Sequence, residues 1–275
     1  MTSLQNSPAS DLSPTNVVPP QYTPVASVVP GLSPHTLDLN GVWKFTEKAP
    51  EVFRPLESVD AWSDIQVPGE WFMQGFDIAK TDAAGYARFF EVPEAWAGQR
   101  IKLLFDGVYS DSEVFVNGTK GGAHVGGFTP FECDVTDAVR VGETNQVALK
   151  VKNDSLADSL ASGSCYACHP LGGITRNVRL FAVPEVHVSD LTIQTRFDEA
   201  FRDAELTAKV RVRNQSVISV TNAKLQCEVR EVGEGQPVLC TLEALVPTMA
   251  SRTNRPVPCP RVPCPRGGVQ VPQSF

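Results

Sequence analysis

The segment Cys165-Tyr-Ala-Cys168-His169 carries the residue types and spacing most open to chemistry. A C-x-x-C-H run is the pattern for covalent haem attachment, in which both thiols form thioethers and the histidine becomes an axial ligand. The same three side chains, joined by Cys259 or Cys264, have the ligand types of a zinc site. A redox Cys-x-x-Cys normally opens a helix after a strand, and no such pattern is present. The chain has no basic n-region followed by an apolar h-region, and the segment runs straight into a strand-like stretch. No haem, metal or other cofactor is therefore expected. Glu70, Glu91, Glu113 and Glu132 are the carboxylates nearest to strand-like segments, and they are expected to face solvent without a catalytic role.

The strands that would position these groups are legible as alternation. Ile101, Leu103 and Phe105 alternate with Lys102, Leu104 and Asp106, which predicts a half-buried strand. Gly107 to Asp111 is read as a turn. Val114 and Val116 then lead to Asn117-Gly118, the pair favoured in a tight hairpin turn with positive φ. Further strands are expected at 39–46, 64–67, 86–92, 128–135, 146–152 and 176–183, with one helical turn at Trp71-Phe-Met-Gln. Short strands with Gly- and Asn-rich turns predict an all-β chain, a jelly-roll β-sandwich over residues 36–184. Alternation resumes after Pro184 at Leu191 to Phe197, Leu206 to Val212, Leu225 to Val229 and Val238 to Leu245. That gives four strands where an immunoglobulin-like sandwich needs about seven, so 185–246 reads as an incomplete immunoglobulin-like domain.

Proline marks both ends: 14 of 22 prolines fall in residues 1–35 and 247–275. The first stretch is expected to be an extended arm. The second, with Val-Pro-Cys-Pro-Arg twice, is expected to be unstructured and unable to add strands, as the end of a truncated or frame-shifted chain. A net charge of −7 and pI near 5.2, with no dense Lys/Arg cluster, argue against nucleic acid. No apolar run has membrane-spanning length, so the default expectation is a soluble, unexported, cytoplasmic chain with no membrane partner. Seven cysteines, an odd number, favour a reducing compartment and mostly inert thiols.

Six motifs, LNGVWKF at 39–45, VPGEWFMQGFD at 67–77, GYARFFEVP at 85–93, FDGVYSDSEVFVNG at 105–118, GGFTPFECDVT at 126–136 and LGGITRNVRLF at 171–181, together resemble the N-terminal part of family 2 glycoside hydrolases. That family includes β-galactosidases, β-glucuronidases and β-mannosidases. The resemblance implies a sugar-binding jelly roll and an immunoglobulin-like domain, followed in the family by a TIM barrel that holds two catalytic glutamates. This chain has no eightfold strand–helix alternation and no Asn-Glu dipeptide, so no catalytic residue carries over. The expected partners are a β-glycoside and a catalytic barrel outside this chain. Loops of the first domain can reach the sugar in this family, which makes His124, His169 and Arg176 the candidate substrate contacts; partly exposed turn histidines and an internally paired arginine are the plainer reading. Trp43 and Trp71 are expected in the core. A stand-alone carbohydrate-binding or adhesion protein is the alternative.

Overall fold

A computed structural model describes residues 35–79, 82–161, 171–199, 204–230, 237–259 and 262–264. The first unit holds twelve strands among the described residues. They are β1 (Thr36–Asp38), β2 (Gly41–Thr46), β3 (Ser63–Val67), β4 (Ala84–Glu91), β5 (Arg100–Phe105), β6 (Val108–Tyr109), β7 (Asp111–Val116), β8 (Thr119–Val125), β9 (Phe131–Asp134), β10 (Thr144–Lys152), β11 (Gly173–Ile174) and β12 (Val178–Val183). Two antiparallel sheets, ordered β1-β12-β5-β9 and β3-β2-β4-β10-β7-β8, enclose the core. Sequence neighbours are repeatedly separated in space, as in a jelly roll. Trp43, Phe45, Tyr86, Leu103, Phe105, Val114, Val116 and Leu149 meet between the sheets, each almost wholly withdrawn from water. Full burial of such side chains contributes roughly 2 kcal/mol apiece before entropy is set against it. Trp43 keeps its polar edge satisfied by donating Nε1–H to the Leu39 carbonyl at 2.8 Å.

Alternation located most strands, and the Asn117-Gly118 turn joins β7 to β8 with φ of 47° and 78° at its two central residues. Two expectations about this region are corrected, and one strand was not read from alternation. Gly107 to Asp111 closes no hairpin: β5 pairs with β12 and β9, whereas β7 pairs with β10 and β8, so this segment carries the chain from one sheet to the other. Strand β5 is not half-buried, because Lys102 and Leu104 are as hidden as Ile101 and Leu103. Strand β8 had no alternation to reveal it; Thr-Lys-Gly-Gly-Ala-His-Val is held by register against β7 across a bulge between Val114 and Phe115. A short helix, α1 (Leu156–Ala161), was likewise not anticipated. The expected turn near Trp71 is a 3-10 turn at Phe72–Gln74.

The second unit contains β13 (Val186–Phe197), β14 (Ala204–Asn214), β15 (Lys224–Arg230), β16 (Val238–Leu245), β17 (Thr253–Pro258) and β18 (Val262–Cys264). One sheet runs β13-β14-β17, with β18 also pairing β14, and β15 pairs β16 in a second. Here the expectation of an unstructured tail after residue 247 is corrected. β17 pairs in register with β14, Val210 opposite Val257, and Met249 and Val257 are buried in the unit's core. Proline masked this strand in the sequence. An edge strand tolerates proline where its N–H would face away from the ladder, and β17 lies at the edge of its sheet. Residues 1–34 and the CYACH segment lie outside the described residues.

Candidate functional site

One loop face of the first unit collects the predicted residues that are described. Strands β6 and β11 pair there, Val108 opposite Ile174 and Tyr109 opposite Gly173. Residues 69–71 brace the entry to β11: Gly69 N–H donates to the Ile174 carbonyl at 2.9 Å and Trp71 N–H to the Gly172 carbonyl at 3.1 Å. The Gly172 backbone lies so close to the Trp71 indole that any Cβ would collide with it. Trp71 is thus a core wall under the loop, as expected, and not a sugar platform.

Arg176 follows β11 and is exposed. Its N–H donates to the Gly107 carbonyl at 3.3 Å, and its stem crosses Gly107, where an added Cβ would lie 3.1 Å from Arg176 Cδ and 3.2 Å from the Gly127 carbonyl oxygen. Its guanidinium makes no ion pair with a described residue. His124 stands on the other side of the Gly126-Gly127 turn, where its Nε2 shares a 2.9 Å hydrogen bond with Thr129 Oγ1. Its ring stacks on Phe131 at 4.4 Å, and Phe131 stacks in turn on Phe105 at 5.0 Å. Burial lowers its pKa against the weaker opposing pull of the Gly126 backbone, which favours a neutral imidazole. The fold therefore brings His124 and Arg176 to one turn, whereas His169 lies outside the described residues.

Sequence reading missed the residues that complete this face. Tyr109 packs flat beneath Gly127, donates its hydroxyl to Asp158 Oδ1 at 2.7 Å and meets the half-exposed Phe128 ring edge-on at 5.4 Å. Ser110 ties the start of α1 to the same place through Ser155 Oγ at 2.6 Å and the Asn153 carbonyl at 2.9 Å. The signal was present in FDGVYSDSEVFVNG, but only the crossover between sheets turns Tyr109 toward α1. An exposed arginine and an exposed aromatic ring at one Gly-rich turn can orient a polyhydroxylated ligand by hydrogen bonding and stacking.

Of the four carboxylates singled out in the sequence, Glu91 is exposed and the other three are engaged in structural contacts. Glu70 accepts the Phe72 and Met73 N–H groups at 2.9 and 2.7 Å, and Glu113 pairs with Lys120. Glu132 departs from the solvent-facing expectation, because its side chain is buried against Lys102. Among the described residues no group of three or more His, Cys, Asp or Glu could hold a metal ion. No helix among them is long and apolar enough to cross a membrane. Burial pushes the Cys133 thiol up to about 12, which makes it a poor nucleophile.

Residues 78–184, which span β4 to β12 and this loop face, match the family model for "Glycosyl hydrolases family 2, sugar binding domain". A β-galactosidase of Clostridium acetobutylicum is 32% identical over 212 residues, covering 66% of this chain and 23% of that protein. The chain carries the sugar-binding domain of glycoside hydrolase family 2. A family 2 relative named β-glucuronidase, from Bacteroides fragilis, is 29% identical over 186 residues, covering 64% of this chain and 26% of its own length. The solved structure of a Bacteroides uniformis β-glucuronidase superposes with a TM-score of 0.69 at 22% identity, over 84% of this chain and 27% of that one, a likeness of fold. The chain spans about a quarter of the length of these family 2 relatives and corresponds to their N-terminal portion. No repeating strand–helix barrel occurs among the described residues.

Proposed function

We propose that the chain is the non-catalytic N-terminal portion of a family 2 glycoside hydrolase of β-galactosidase type, acting in carbohydrate metabolism. Its jelly roll, residues 36–184, presents the Arg176 and Phe128 face to a β-glycoside held by a catalytic barrel outside this chain. The unit from residue 185 onward acts as a spacer of immunoglobulin type between the two. The observation that carries this reading is the exposed Arg176, with no ion pair to a described residue, whose stem lies against Gly107 at the Gly127 turn that packs over Tyr109, within the segment matched to the sugar-binding domain. Arg176 leads the assignment. His124 shapes the turn beside it, and His169 precedes the same strand entry in the sequence. Contacts of this kind orient a substrate whose bond is broken by other groups.

The test is reconstitution with a family 2 β-galactosidase from which the first domains have been removed. Arg176→Ala should lower kcat/KM of the reconstituted enzyme about tenfold, with the unfolding midpoint of the chain unchanged. Equal kcat/KM for the variant and the original chain would remove Arg176 from the substrate.

A further inference from the structure

Cys227 on β15 and Cys259, which directly follows β17, belong to opposite sheets of the second unit. Both side chains pack on the same buried cluster, which includes Val210, Met249 and Val257. Their thiols meet there, with Cys227 in side-chain hydrogen-bond contact with Cys259. Cys259 Sγ also donates to the Val257 carbonyl at 3.7 Å. Both cysteines are free and partly open to solvent, and Cys259 lines an open cleft of about 470 Å³. A small oxidant therefore has a route to it. Among the described strands β15 and β16 pair only with each other, so packing on this cluster and the Val220–Met249 bridge hold the two sheets together. Small domains that cannot build a sufficient core are the ones in which disulfides are common.

We propose that Cys227 and Cys259 are a redox pair that closes to a disulfide between the two sheets of the second unit. The oxidant is a small disulfide of the glutathione type. Cys259, which faces the cleft, attacks it as the thiolate and releases one glutathione thiol; Cys227 then attacks the mixed disulfide and releases the second. Two protein S–H bonds are lost and one S–S bond forms, while two electrons and two protons pass to the oxidant. Burial, and after it the neighbouring Cys259, push the Cys227 thiol up, which leaves the first attack to Cys259. The closed bridge ties β15 to the end of β17, and reduction returns both residues to thiols. Cys240, on β16 opposite Val229, is the rival partner for Cys227 that the experiment must exclude. The pair lies in the second unit, apart from the loop face that bears Arg176, so it stands or falls independently of the sugar-contact role.

The experiment incubates the full, folded chain with oxidised glutathione, alkylates the remaining thiols and maps the digest by mass spectrometry. A peptide pair linked through Cys227 and Cys259, and released by dithiothreitol, is expected. Amide hydrogen exchange in β15 and β16 should slow at least about tenfold in the oxidised chain, and Cys259→Ser should abolish that slowing. The link itself is read in the unsubstituted chain, so the outcome does not depend on how well the variant folds. Both thiols still open to alkylation after oxidation, Cys227 linked to Cys240 instead, or a closed bridge with unchanged exchange would overturn the proposal.

Discussion

Lys102 Nζ lies 2.9 Å from Glu132 Oε1 on the neighbouring strand, and only 1% and 8% of the two side chains remain open to solvent. Both charges sit on the face of the four-stranded sheet turned away from the main core, next to the start of the second unit, where His187 feels them electrostatically. Removing one member strands the other charge in a poorly solvated place, a loss of about 3 kcal/mol or more. Glu132→Ala should therefore lower stability by about that amount, whereas Lys102→Met with Glu132→Leu should be close to neutral. Urea unfolding of the three variants checks this. Equal losses for the single and double changes would mean that the pair itself stabilises the fold.

His187 makes stability fall with acid. Its Nδ1–H donates to the Pro184 carbonyl at 2.7 Å, while Nε2 is buried with no partner, so the ring is held neutral. Burial is the main cause of a pKa pushed down from 6.5 to about 4; the Pro184 carbonyl and Glu132 oppose it, and Lys102 and Arg213 reinforce it. Between those two values the unfolded chain binds a proton that the folded chain refuses. Stability is then complete above pH 6.5 and is lost as pH falls toward 4, by about 2 kcal/mol from this group. Urea midpoints at pH 7 and pH 4.5 should differ less for His187→Gln than for the original chain. An identical pH dependence would exclude His187 as the source.

Gly127 and Gly172 should each resist substitution through close approach of a ring. A Cβ at Gly172 would strike the Trp71 indole, and one at Gly127 would strike the Tyr109 ring. Either alanine should cost about 1–3 kcal/mol by overpacking. The Gly127→Ala change should also dislodge Tyr109 from Asp158 and abolish the contribution of Arg176 in reconstitution. Thermal unfolding together with kinetic assay separates these effects. Full stability in both variants would mean that the rings have room to move.

The two units should differ in resistance to proteolysis. Leu191, Ile193, Phe197 and Leu245 are substantially exposed, and the buried cluster of the second unit is far smaller than that of the first among the described residues. Strands β15 and β16 form a sheet of two, which leaves open edges. Limited digestion should leave a resistant fragment ending near residue 185. Equal survival of the second unit would show that β17 and Met249 close its core sufficiently.

How far the sequence disclosed this molecule depended on what kind of interaction sets each element. Strands whose burial follows alternation, such as β10 with Val147, Leu149 and Val151, were legible because side-chain period alone decides them. β8 and β17 were not, since glycine and proline erase that period and only pairing with β7 and β14 holds them extended. The pairing of Lys102 with Glu132 was hidden for a related reason: a lysine in an alternating strand reads as solvent-facing until a second unit covers it. Of the candidate site, the Gly-rich turn bearing His124 and the strand entry bearing Arg176 were readable as motifs. Tyr109 and Asp158 were not, because 49 residues separate them and the crossover between sheets brings them together.

The central claim is that this chain contacts the sugar and breaks no bond. Cleavage with retention needs an acid/base carboxyl and a nucleophile about 5 Å apart on a rigid scaffold. The direct measurement is hydrolysis of aryl β-galactosides and β-glucuronides by the purified chain, alone and mixed with a family 2 enzyme lacking its first domains. The account predicts no turnover by the chain alone and recovered turnover in the mixture. Hydrolysis by the chain alone, retained when it is expressed in a host free of such activity, would contradict it.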